Sequence, residues 1–147
     1  MLGFARYMIA PGYRFSDDST EMDRPRIHRW LSTESYWALG RTSELHDRAM
    51  DGSRNFGMFD VETGEQVAYA RVITDAATFA WLCDVFVSDD VRGHGVGVAL
   101  MKGITDWLEP FALKRMALVT ADAHGLYEKF GFESLAEPGR WMARVRG

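Results

Sequence analysis

Apolar positions along this chain switch several times between helical spacing and the two-residue alternation of strands. Gly12 to Ser16 reads as a short strand, and Asp17, Asp18, Ser19 and Thr20 after it form a polar loop. Asp23 ahead of Pro25 marks a helix start, and Ile27, Trp30 and Leu31 recur at intervals of three and four, so a helix is predicted that stops near Ser32. A second helix is predicted from Thr42 or Ser43 to Met50, capped by a hydroxyl, with Glu44 in its first turn, Leu45 and Ala49 facing inward and Gly52 as its terminator. The pattern then becomes extended: Phe56, Met58 and Val61, a turn over residues 62–65, and Val67 to Thr74 predict an antiparallel hairpin. Phe79 to Val87 is nearly continuous in apolar residues, as in an interior strand covered on both faces, and Asp84 alone interrupts it.

Glycines over residues 93–97 lead into a helix whose Leu100, Met101, Ile104, Trp107 and Leu108 form one stripe, ended by Pro110. Met116 to Val119 reads as another buried strand. Ala123, Leu126, Tyr127 and Phe130 read as a short helix ending at Gly131, and Trp141 to Val145 as a final strand. No repeat or low-complexity linker divides the chain, so residues 1–147 are expected to form one domain, with strands and helices interleaved around one sheet.

Composition narrows the classes of function. A chain of 147 residues that is 47% hydrophobic can build one core but hardly two. Its formal charge of −4 disfavours a protein whose work is to neutralise nucleic-acid phosphates. The single Cys83 removes internal disulfides and all-cysteine zinc sites and fits a reducing cytoplasm. No apolar run approaches the roughly 20 residues that span a bilayer, and Met1 to Pro11 lacks the features of a secretory leader. The expectation is a cytoplasmic protein without nucleic-acid or membrane partners. His28, His46, His94 and His124 are not spaced as metal ligands, so no metal is expected.

The most informative stretch joins the apolar strand to the glycine-rich helix start. Alternate glycines let a backbone turn tightly and bring free N–H groups close to a ligand, and a helix start adds partial positive charge, so this loop suits a phosphate. The dinucleotide spacing G-x-G-x-x-G fails, because its third glycine would fall on Val98 or Leu100. The triphosphate loop fails for want of Gly-Lys-Ser or Gly-Lys-Thr. What remains is R-x-x-G-x-G, filled by Arg92, Gly95 and Gly97.

Strand, turn, Arg92-x-x-Gly95-x-Gly97 and helix together resemble the coenzyme A loop of the GCN5-related N-acetyltransferase superfamily, and a second resemblance follows downstream. There the superfamily reads A-x-x-L-Y-x-x-x-G-F, matched by Ala123, Leu126, Tyr127, Gly131 and Phe132. The resemblance implies an α/β chain of the α+β type, with a single mixed, mostly antiparallel central sheet flanked by helices. It implies that Arg92, Gly93, His94, Gly95, Val96 and Gly97 hold the diphosphate of acetyl-CoA and that Val85, Phe86 and Val87 offer backbone groups to the pantetheine arm. A backbone N–H where this strand bulges, near those three residues, would meet the charge developing on the thioester oxygen. Tyr127, which by spacing alone is a core-facing aromatic, would also touch the cofactor and protonate the departing thiolate. The asparagine often found seven residues before that tyrosine is Thr120 here.

The implied reaction is transfer of acetyl from acetyl-CoA to a primary amine of a small molecule or peptide, by direct attack in a ternary complex. A coenzyme A-binding sensor without turnover is the alternative. An alkyl amine, with a pKa of about 10.4, must first lose a proton. Asp84, mid-strand among apolar neighbours, is a candidate base, but it could equally bind a cationic substrate or pair with an arginine, and a water chain would serve as well. The acceptor wall is expected between Asp23 and Ser53, where Trp30, Tyr36 and Trp37 are candidate substrate contacts. Dimers are common in this superfamily, which leaves a homodimer open.

Overall fold

A computed structural model describes residues 10–146. The leader reading over Met1 to Pro11 therefore lies, for residues 1–9, outside the described residues. The elements run β1 (Tyr13–Ser16), α1 (Arg24–Glu34), α2 (Ser43–Asp51), β2 (Arg54–Asp60), β3 (Gln66–Thr74), β4 (Phe79–Val87), α3 (Val96–Leu108), β5 (Arg115–Ala117) and α4 (His124–Glu128). The strands form one sheet in chain order, antiparallel throughout except for the parallel pair β4–β5. This is the mixed, mostly antiparallel sheet expected.

Local chemistry sets the helix starts. The Asp23 carboxylate accepts from the Arg26 N–H, with Pro25 in the first turn, and the Thr42 hydroxyl accepts from the Leu45 N–H, so each helix begins where a short oxygen-bearing side chain satisfies an otherwise unpaired amide. Helix α1 runs two residues beyond Ser32. Helix α2 buries His46 and Met50, whereas Leu45 is exposed. The expected inward face is thus rotated, because the polar His46 occupies a core position that its residue type does not advertise.

Two cores flank the sheet. On one face Leu100, Met101, Ile104 and Leu108 of α3 pack with Phe56, Met58, Val72 and Leu82. On the other, Ile27, Trp30 and Leu31 of α1 and Met50 of α2 pack with Phe59, Tyr69 and Phe86. The strands sealed on both faces are β2 and the first part of β3. Strand β4 instead alternates buried and half-buried residues. Its apolar run was expected to be fully covered, but one face is only half-buried; its pairing with β5 ends at Trp81 opposite Ala117, and among the described residues no strand neighbours 82–87 on that side.

Two further expectations are corrected. The predicted strand Met116 to Val119 is shorter and half-buried, with Val119 outside it and exposed. Trp141 to Val145 forms no strand, and Met142 and Val145 stand in solvent. An apolar segment makes a strand only where a sheet edge accepts it, and among the described residues no strand pairs with this one.

Candidate active site

The chain turns into α3 through residues that only glycine occupies without strain. Gly93 has φ +85° and Gly95, which caps the helix, has φ +78°. Arg92 and His94 donate their N–H groups to Asp89 and Val91, and helical bonding begins when Ala99 donates to Gly95. Among the described residues the N–H groups of Gly93, Gly95, Val96, Gly97 and Val98 meet no acceptor. Unpaired amides at the positive end of a 13-residue helix form an anion cradle. A side chain at position 95 would be forced out of this backbone conformation at about 1–2 kcal/mol and would crowd the cradle. Gly95→Leu should therefore weaken binding of a diphosphate-bearing ligand about ten-fold or more, as read by calorimetry; unchanged affinity would remove the cradle.

Strand β4 carries a bulge beside this cradle. Tyr69 lies opposite Phe86 and Arg71 opposite Cys83, so Ala70 alone faces both Asp84 and Val85. The extra residue shifts the alternation. Ala80 and Leu82 belong to the α3 core, whereas Phe86 packs under Trp30 in the opposite core and Val85 and Val87 turn toward α3. Asp84 sits at φ +53°, a left-handed conformation uncommon outside glycine.

What holds Asp84 there is a set of charge-assisted hydrogen bonds. Arg41 donates to Oδ2 at 2.7 Å and Oδ1 at 3.3 Å, Arg71 Nε to Oδ2 at 2.9 Å, and the Trp37 indole N–H to Oδ1 at 2.9 Å. Burial alone would push this carboxyl upward, but the bonds from Arg41 and Arg71 prevail and hold its pKa below the ordinary value. Of the readings left open for Asp84, pairing with arginine is the one this geometry displays. Two guanidiniums against one carboxylate leave the cluster with one net positive charge. Cys83 next to it is a half-buried thiol pushed up to about 11, chiefly by desolvation, and so remains neutral.

Tyr127, on α4, faces the bulge across a cavity. It is buried, its hydroxyl has no partner among the described residues, and its pKa is pushed up to about 12 by burial and then by Tyr36 and Asp122. The phenol therefore remains a proton donor through neutral and moderately alkaline pH. Tyr69 is shifted upward as well, again mainly by burial. Both pKa values lie above the unfolded value of about 10, so their contribution to stability is complete below pH 10 and is lost as the pH rises through the folded values. With Cys83 shifted upward as well, urea midpoints should hold to about pH 9 and then fall; native tyrosines all titrating near 10 would contradict the tyrosine part of this.

The cavity, of about 820 Å³, joins these parts. Of the loop residues singled out in the sequence, Arg92, Gly93, Gly95, Val96 and Gly97 line it, as do Val85, Phe86, Val87, Asp84 and Tyr127. His94 does not, since its ring turns away to hydrogen-bond with Tyr13 at 2.9 Å. Tyr36 and Trp37 line the far end, but Trp30 does not: it is buried against Phe86 as core, and its expected role in the acceptor wall is withdrawn. Thr120 lines the cavity and accepts from the Ala123 N–H, which shapes the approach to α4. The Tyr36 hydroxyl accepts from the Ala121 N–H, so the loop after α1 is tied to the loop after β5. Sequence reading missed Arg41, Arg71, Glu34 and Trp81. The arginines lie 43 and 13 residues from the carboxylate they bind, and no local pattern signals such pairs.

Comparison with known proteins bears on the family and the fold. The profile of the Acetyltransferase (GNAT) family matches residues 19–132. A Xanthomonas campestris pv. campestris protein of the GNAT family, provisionally described as an acetyltransferase, superimposes with a TM-score of 0.88 at 42% identity over 93% of this chain and 95% of its own. A Gibberella zeae protein, also provisionally an acetyltransferase, is 32% identical over 112 residues, covering 73% of this chain; the match spans 60% of that relative's length. A Mycobacterium tuberculosis protein solved in complex with CoA shares the fold, with a TM-score of 0.68 at 16% identity over 82% of this chain and 72% of its own.

Proposed function

Since the chain belongs to the GNAT family of acetyltransferases, we propose that residues 1–147 form one N-acetyltransferase domain that moves the acetyl group of acetyl-CoA to a primary amine of a small molecule or peptide. The observation that carries this reading is the convergence of the unpaired amides at 93 and 95–98, the open edge of β4 and the Tyr127 hydroxyl on one cavity. The residues fit the cofactor. The cradle suits its diphosphate, Arg92 adds a cation at the same end, and the unpaired edge of residues 82–87 suits the amide-bearing pantetheine arm.

When bound, the thioester supplies an activated acyl group. The chain's own residues then meet three demands. The acceptor amine must be neutral, and the net positive charge of the Arg41–Asp84–Arg71 cluster beside a partly enclosed cavity favours its free base. Water can carry the released proton away, because Asp84, held ionised by two arginines, is a poor base and acts as a positioning residue for the bulge. A backbone N–H at that bulge meets the developing oxygen charge, following the logic of an oxyanion hole. With acetyl-CoA bound, Tyr127 would hold the proton that the departing sulfur needs and would recover one, through water, from the nitrogen that becomes the amide.

Titration with acetyl-CoA by calorimetry, followed by thiol release over an amine panel, tests this. Binding with amine-dependent thiol release is expected. Binding without release from any amine would favour the sensor reading, and no binding would remove both.

A further inference from the structure

We infer that the acceptor amine carries a second cationic group, which the Glu34 carboxylate and the aromatic rings around it receive. This rests on the acetyltransferase reading above and names its substrate class. Besides the cradle and the bulge, the cavity is lined by Glu34, Ser35, Tyr36, Trp37, Trp81 and Cys83. Most polar atoms there are already engaged within the protein. The Ser35 hydroxyl donates to the Leu31 carbonyl and accepts from the Ala38 N–H, the Tyr36 hydroxyl accepts from Ala121, and the Trp37 N–H is given to Asp84. Cys83 stays a neutral thiol. Without a partner among the described residues are the Glu34 carboxylate and the Trp81 indole N–H.

Glu34 is also badly placed for the fold's own stability. It is the last residue of α1, at the negative end of the helix dipole, and no basic residue lies in that last turn. A carboxylate there would gain from an external cation. Tyr36 and Trp37 sit edge to face with ring centroids 5.0 Å apart, both well exposed, and with Trp81 they offer π surfaces that attract cations.

The charges of the whole cavity point the same way. Its lining side chains with unpaired charge are Glu34 and Asp122, both acidic, while its arginine, Arg92, lies at the cradle end and is bridged to Asp89. Arg41 and Arg71 stand behind Asp84, outside the lining, and their excess charge repels a cation from the bulge. A doubly basic acceptor would thus place its neutral nitrogen near the bulge and its charged group at Glu34.

Two sources supply this chemistry, a small diamine and a lysine-rich peptide, and the test separates them. Calorimetry on the protein, free and loaded with CoA, compares 1,5-diaminopentane with 5-aminopentan-1-ol, and a blocked peptide bearing two lysines with one bearing a single lysine. In at least one pair the doubly charged member should bind about ten-fold or more tightly. Glu34→Gln should abolish that preference, whereas Glu62→Gln, in the exposed β2–β3 turn, should leave it intact. Equal affinities in both pairs, or a preference that survives Glu34→Gln, would overturn the inference. Charge preference without CoA binding would sink the acetyltransferase reading and leave the cation site standing; CoA binding without charge preference would do the reverse.

Discussion

Tyr127→Phe should lower turnover by roughly 10²–10⁴ while leaving acetyl-CoA affinity close to that of the parent protein. The substitution removes one oxygen and keeps the ring that packs against Phe132. That oxygen has no hydrogen-bond partner among the described residues, so its loss leaves no protein group unsatisfied and the fold should tolerate it. The loss should fall on kcat and kcat/KM alike, because the proton is needed only as the thiolate departs. With the phenol held up to about 12, the parent's rate should rise with pH as the amine is freed and show no descending limb from this group below about pH 11. Full activity of the variant across the pH range would exclude Tyr127 as the acid.

Asp84 should prove indispensable for a different reason. Asp84→Ala leaves Arg41 and Arg71 mostly buried without their shared carboxylate and asks alanine to hold a left-handed backbone, so it should destabilise the fold by about 3 kcal/mol or more. Asp84→Asn separates positioning from proton transfer. Asparagine tolerates the left-handed region and can still accept through one oxygen, so this variant should fold and retain part of the activity with an unchanged pH profile. A base would behave otherwise. If Asp84 abstracted the proton, the asparagine variant would lose essentially all turnover together with the acidic limb of the profile. Guanidinium denaturation and a pH–rate series on the two variants measure both effects.

These contrasts show where the sequence was legible. Phosphate cradles are local: Arg92, Gly95 and Gly97 stand within a few residues of one strand end and one helix start, so the arrangement can be read from spacing. The short helix that carries Tyr127 was legible too, but spacing alone gives that residue as a core-facing aromatic, and its proposed role comes from the family resemblance. The acceptor end was not. Trp30 and Trp37 look alike in sequence, yet one completes the core against Phe86 and the other gives its N–H to Asp84, a difference set by the turn that ends α1. Likewise the apolar composition of Phe79 to Val87 implied cover on both faces, but one face is left half-open toward the cavity even at Trp81, which β5 does pair, and composition does not show what packs on a face. At the carboxyl end, Trp141 to Val145 has the apolar content of a strand but, among the described residues, no partner strand.

The early end of the β4–β5 ladder has a consequence for solubility. A run of exposed main-chain donors and acceptors is a template on which a foreign polypeptide can add itself, and it commonly seeds aggregation. Here the vulnerable edge lines a cavity together with Leu118, Thr120, Ala123, Leu126 and Tyr127, and the Tyr36–Ala121 bond ties two of the loops that contribute to it. A slender chain of alternating amides and methylenes suits such a lined edge better than another protein's strand, whose side chains project on both faces. The fold thus keeps a binding edge available while screening it from intermolecular sheet growth.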